Sequence, residues 1–154
     1  MKLPEAIGAA MKTNSYLLVL DGSAESRAAA FLAWKLAKQS GARVVAQHVI
    51  DIPAVANLLP FRKAGFIGSG PYMEAREHTV AELRSVAETL MLSYQAQAEG
   101  HNIDMETYID EGDPAEEICK RAEAHELLIV GRDTLTPEET LSRFYEKRGM
   151  AATP

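Results

Sequence analysis

The sequence predicts an α/β domain built on an open parallel sheet with helices on both faces. Three observations carry this. Short apolar runs alternate with longer stretches of helical periodicity, in the order β-α-β-loop-α-β-α-β-α; alternation of this kind belongs to parallel sheets. The run from Arg43 to Ile50 is valine-rich and apolar on both faces, as a strand covered by helices on both sides must be. The strand–helix–strand unit that this run completes demands a right-handed crossover.

The elements follow in order. Leu3 to Met11 reads as a short helix or a flexible arm, so residues 1–15 stand apart as an N-terminal segment. Tyr16-Leu17-Leu18-Val19-Leu20 is short, apolar and closed by Asp21-Gly22-Ser23, which favours a buried strand over a helix. The Ser23 hydroxyl can accept a bond from a free N–H of the next turn and so cap a helix over Ser26 to Gln39. On that helix Ala28, Leu32 and Leu36 share one face, which Phe31 and Trp34 widen, and Gly41 ends it. Arg43 to Ile50 is the second strand.

Asp51 to Tyr72 differs. Pro53, Pro60, Pro71, Gly65, Gly68 and Gly70 exclude a regular element throughout, although Val55 to Leu59 has room for one turn. A loop this long is usually functional or mobile. Its Phe61, Phe66, Ile67 and Tyr72 suit a lid, a partner surface or a segment folded back on the sheet. Val80, Leu83, Ala87, Leu90, Met91, Tyr94 and Ala98 then recur at three and four, the clearest amphipathic helix in the chain, from about Met73 to Glu99. From Ile103 to Asp110 apolar and polar residues alternate, which places a half-covered strand at a sheet edge. Asp113-Pro114-Ala115-Glu116 has the cap, first-turn proline and acidic residue of a helix start, with Ile118, Cys119 and Ala122 facing inward. Leu127 to Val130 is the fourth strand, closed by Gly131. Thr136-Pro137-Glu138-Glu139 opens a last helix through about Lys147, and residues 149–154 form a tail.

Bulk properties narrow the function. The chain has 154 residues, enough for one domain of 16–148 with a sizeable core. Its net charge is −6 and no basic run exists to neutralise phosphates, which argues against nucleic acid as a partner. No apolar run approaches the roughly 20 residues of a membrane span. Neither a signal peptide nor a possible internal disulfide is evident, since Cys119 is the only cysteine, so a cytoplasmic protein is expected. His48, His78, His101 and His125 lack metal-ligand spacing. Cys119 reads as a small core residue with no nearby base to activate it. Ser23 and Ser26 lack the glycine-flanked elbow of a hydrolase, and capping fully explains Asp113 and Glu116.

In an open parallel sheet, ligands bind beyond the carboxyl ends of the strands, where strand order reverses. Asp21, the Val49-Ile50-Asp51 stretch and Gly131-Arg132-Asp133 fall there. Asp21 either ends a strand and caps a helix or contacts a ligand, and Gly131 is either a turn glycine or part of that contact.

Four segments in this order resemble the universal stress protein family: Leu17 to Ser23, His48 to Asp51, Glu111 to Ile118 and Leu128 to Gly131. The resemblance spans about Tyr16 to Asp133. It implies a Rossmann-like three-layer sandwich of the adenine nucleotide alpha hydrolase type, with strand order 3-2-1-4. It also implies a cofactor, ATP or AMP, held through Asp21, Val49 and Gly131: the acidic residue contacts the nucleotide, the second strand's backbone reads the base, and the glycine lets backbone N–H groups approach phosphate. The family's Gly-x2-Gly-x9-Gly-Ser/Thr pattern is broken here. Counting from Gly131, Thr134 stands at the second glycine, and Phe144 and Tyr145 at the last two positions. The phosphate cradle is therefore expected to be degraded and binding weak. The family's fifth strand is also missing from the pattern, so either the chain is a fragment of a longer or tandem protein, or its sheet edge is completed differently. An uncovered fourth strand is an exposed pairing edge, hence an expected homo-oligomer, a dimer.

The expected function is a regulatory stress-response domain and not a metabolic enzyme. The alternatives are an interaction module without nucleotide, acting by self-association, and a slow ATP hydrolase, for which Asp21 and Asp133 are the only candidate bases or metal ligands.

Overall fold

The structure, a computed structural model, describes residues 14–59 and 69–132. The expected N-terminal arm, the loop aromatics Phe61 and Phe66, the last helix, the tail and the question of a fifth strand lie outside these residues. Four parallel strands form one sheet: β1 (Ser15–Val19), β2 (Arg43–Asp51), β3 (Met105–Gly112) and β4 (Leu127–Ile129). Their order is β3-β2-β1-β4, as the resemblance implied, with β3 at an edge. Four helices connect or flank them: α1 (Ala24–Ser40), α2 (Ile52–Leu58), α3 (Ser69–Gly100) and α4 (Pro114–Ala122).

Strand residues alternate between two cores, because successive side chains on a strand point to opposite faces. Leu18, Leu20, Val44 and Ala46 meet α1 and α3. Leu17, Val19 and Val45 face α4, with Ala115, Ile118 and Ala122 opposite them. Pairing is in step: Val19 lies beside Gln47 in β2, and Leu18 beside Ile129 in β4. Cys119 is half-buried against the α4-side core, as a small apolar residue should be.

The buried face of α1 corrects the expected one. Ala29, Ala30, Ala33, Trp34 and Ala37 are buried, whereas Ala28 is exposed and Phe31 and Leu32 are 57% and 49% exposed. The smallest side chains bring the helix closest to the sheet, so an alanine stripe, rather than the bulkiest one, lies inward. The predicted caps hold: Ser26 N–H donates to Ser23 Oγ at 3.0 Å, and Gly41, at φ 71°, donates its N–H to the Ala37 carbonyl at 2.8 Å.

The proline- and glycine-rich stretch is more regular than expected. Asp51 accepts from Ala54 N–H and starts α2, whose Pro53 sits in the first turn, where its missing N–H costs no intrahelical bond. For the same reason α3 tolerates Pro71 and begins at Ser69, ahead of the expected Met73. Of the apolar stripe on α3, Ala87, Met91, Tyr94 and Ala98 are buried; residues 70–86 include no buried side chain, so the front half of this helix overhangs the sheet. Asp113 caps α4 through Glu116 N–H at 3.1 Å, as predicted. Among the described residues no helix is long and apolar enough to cross a membrane.

Candidate functional site

The carboxyl ends of β1 and β2 form a hollow of about 170 Å³, lined by Val19, Leu20, Asp21, His48, Val49, Asp51, Pro114 and Ile118. Sheet pairing builds it. The Leu20 N–H donates to the Gln47 carbonyl at 2.9 Å, which carries the β1–β2 ladder one residue past the strand. The chain then turns at Gly22, whose φ of +85° only glycine adopts without strain. Asp21 Oδ1 accepts the Ser23 N–H at 2.8 Å, which pins the carboxylate beside the start of α1. Asp51 closes the other side and uses Oδ1 to cap α2 at 2.9 Å.

His48 links the two strand ends. Its Nδ1 lies 2.7 Å from the Leu20 carbonyl oxygen. A carbonyl only accepts, so Nδ1 carries a proton and donates it. Pro114 and Ile118 form the apolar wall from α4, with Ile118 essentially inaccessible.

Of the three residues expected to contact a ligand, Asp21 and Val49 line this one hollow. Gly131 is buried just beyond β4 and is not part of the lining. His48 does line it, although a lone strand histidine reads as structural in sequence; the strand register, which sets His48 beside the end of β1, is the signal that finds it. The volume is below the roughly 300–1,000 Å³ of pockets that enclose a whole small molecule. Larger hollows lie elsewhere among the described residues. One, of about 380 Å³, lies under the front half of α3 between Ile52, Met73, Val80 and Arg84. Another, of about 360 Å³, lies at the amino ends of the strands beside Ser15, Arg43 and His125, and a third, of about 330 Å³, lies between Gly41, Arg43, His101 and Asp104. None of these collects the carboxyl-end backbone of the strands, so the smaller hollow has the position that α/β sheets use.

Away from the cleft, Asp110 on β3 anchors the α4 face. Arg121 Nε and Nη2 donate to both its oxygens at 2.9–3.0 Å, and buried Gln47 donates to it at 2.8 Å. The Arg121 guanidinium also stacks on Tyr108, 3.7 Å from the ring centre. At the amino end of the sheet, Ser15 Oγ and His125 Nδ1 are 2.7 Å apart. Burial pushes the His125 pKa below its usual value, and the charge of Arg121 adds to the effect.

A model of the Universal stress protein family matches residues 14–142. Comparison with the curated proteins gives no match. Among solved structures, a protein of the universal stress protein family from Burkholderia pseudomallei superposes with a TM-score of 0.67 at 20% identity, over 90% of this chain and 92% of that one. Universal stress protein UspA from Lactobacillus plantarum gives 0.57 at 18% identity, over 88% and 92%. At these identities the two structures speak for the fold alone.

Proposed function

The chain belongs to the universal stress protein family, and we propose that it acts as a regulatory domain whose strand-end cleft takes an adenine nucleotide, ATP or AMP, weakly through Asp21, Val49 and Gly131. The observation that carries this reading is the shared hollow: Asp21 from the end of β1 and Val49 from β2 line one cavity, 28 positions apart in sequence. In this reading Asp21 holds the ligand's hydroxyl groups, the Val49 main chain meets the base, and Gly131 offers a backbone approach free of a side chain. Thr134 and Phe144 replace two glycines of the phosphate-binding pattern and Tyr145 its Ser/Thr, which accounts for weakness and suits a sensor that responds to occupancy. The test is titration calorimetry of ATP and AMP into the purified protein, with and without Mg²⁺. Binding that is lost in Asp21→Ala supports the reading; no heat at millimolar nucleotide removes it.

One observation favours a second reading, self-association as a homodimer. Among the described residues β4 is the outermost strand beside β1, only three residues long, and Leu127 on it is 40% exposed. Strand edges of this kind pair with other chains unless they are covered. Light scattering tests it, and a strict monomer at high concentration rejects it.

A further inference from the structure

A nucleotide held through Asp21 and Val49 needs those two residues at a fixed distance and orientation, and the inference here rests on that reading. We infer that His48 is a positioning residue of the site: its ring clamps the ends of β1 and β2 through the Leu20 carbonyl and so sets Asp21 and Val49 for the ligand.

The clamp stands where the two strands part. Residue pairing between β1 and β2 ends at Val19 and Gln47. One further N–H, that of Leu20, reaches the Gln47 carbonyl at 2.9 Å. Gly22, at φ +85°, then turns the chain toward α1, so β1 leaves the sheet while β2 runs on to Asp51. His48 makes the next connection with its side chain. Its Nδ1 donates to the Leu20 carbonyl at 2.7 Å. Two consecutive residues of β2 thus hold both main-chain polar groups of Leu20, the Gln47 carbonyl its N–H and the His48 ring its C=O.

That bond reaches the site residues through the covalent chain. The Leu20 carbonyl and the Asp21 N–H belong to one planar peptide unit, so fixing the carbonyl fixes the direction in which Asp21 leaves the strand. The Ser23 N–H donates to Asp21 Oδ1 at 2.8 Å and sets the far end of the same residue. On the other strand His48 is bonded directly to Val49, which lines the hollow. Val44 and Ala46 face the core under α1, and residues two apart on a strand share a face, so the ring braces the junction from the α1 side. Val49 packs on the opposite side with Val19 and Ile118. The hydrogen bond is part-buried, so its loss leaves the Leu20 carbonyl only partly compensated by water.

The experiment compares His48→Asn with His48→Leu in the full chain. Asparagine carries its amide nitrogen as many bonds from the backbone as Nδ1 and donates from there; leucine has the same branching and no donor. AMP and ATP are titrated into the native protein and both variants well below their melting temperatures, and thermal melts of each are recorded. Leucine should weaken both ligands by about fivefold to tenfold, and asparagine by about twofold or less. A bond that serves stability alone lowers Tm and leaves the dissociation constant of the folded protein unchanged. Native affinity in His48→Leu therefore overturns the inference, and so does asparagine binding as poorly as leucine. Nitrogen NMR of the isotope-labelled native protein reads the tautomer without any variant: a proton on Nδ1 of His48 is expected, and a ring bare at that atom overturns the clamp. Each of these failures leaves the nucleotide reading standing. If neither AMP nor ATP binds the native protein, the nucleotide reading itself fails and the inference falls with it.

Discussion

Replacing Asp110 by alanine tests whether the β3–α4 polar network holds the α4 face together. Asp110 and Arg121 are 23% and 24% exposed, so their pair lies between the surface and the interior. Asp110 accepts three bonds from Arg121 and one from Gln47. Alanine leaves Arg121 with its stacking on Tyr108 but no carboxylate, and Gln47 with only the Glu117 carbonyl at 3.2 Å. Gln47 is fully buried and its Oε1 already has no partner, so that side chain has little room to adjust. Exposed ion pairs contribute about 0–1 kcal/mol, and breaking a fully buried one costs about 3–5 kcal/mol. At three-quarters burial the loss should be about 2–3 kcal/mol. Tm should fall by roughly 5–10 °C at about 2–4 °C per kcal/mol. Asp110→Asn keeps acceptor capacity for Gln47 and Arg121 and should cost about 1 kcal/mol. Urea unfolding at neutral pH measures both, with the slope of the transition unchanged. The reasoning fails if Asp110→Ala stays within about 0.5 kcal/mol of the native protein, or if asparagine costs as much as alanine.

Four further outcomes are expected. His125 sits among Ser15, Arg43, Glu106, Tyr108, Lys120 and Arg121, and its pKa is depressed by burial first and by Arg121 second. The unfolded chain therefore takes up this proton more readily than the folded one, so stability is full above about pH 6.5 and falls as pH drops from there toward the folded pKa. NMR titration of His125 checks this, and a folded-state pKa above the usual histidine value contradicts it. Gly41→Ala should cost about 1–2 kcal/mol because φ is 71°, although no atom lies within 4 Å to clash with the added carbon. Gly100→Ala meets equally open space without the positive φ and should be neutral or stabilising in the same thermal melts. Ile118→Ala should cost about 2–5 kcal/mol, since this side chain is almost wholly buried on the cleft wall; an unchanged urea midpoint would show that α4 is not packed as described.

Elements governed by neighbouring residues were legible in the sequence. Ser23, Gly41 and Asp113 act as caps because a cap bonds within three or four positions, and the structure shows each of those bonds. The strands were legible because their apolar runs are short and bounded. The inward side of α1 was not. Phe31 and Leu32 look like core by hydrophobicity, yet the sheet accepts Ala29, Ala30, Ala33 and Ala37 instead, a choice that depends on how near the helix axis comes. Helix α2 was hidden because Pro53 reads as a breaker until Asp51 is seen capping the turn around it. In the candidate site, Asp21 and Val49 followed from the rule for strand ends, while the part played by His48 required knowing that the Leu20 carbonyl lies beside its ring.

By itself, then, the sequence determined the order of the elements, their caps, the family resemblance and the acidic character of the residues at the strand ends. Those depend on local chemistry and on pattern. The tertiary structure decided which residues meet. Parallel pairing joins segments more than 25 residues apart, as when Val19 lies beside Gln47, and each such contact is set by the register of the whole sheet. That register brings Asp21, His48, Val49 and Asp51 to one hollow and leaves Gly131 outside its lining.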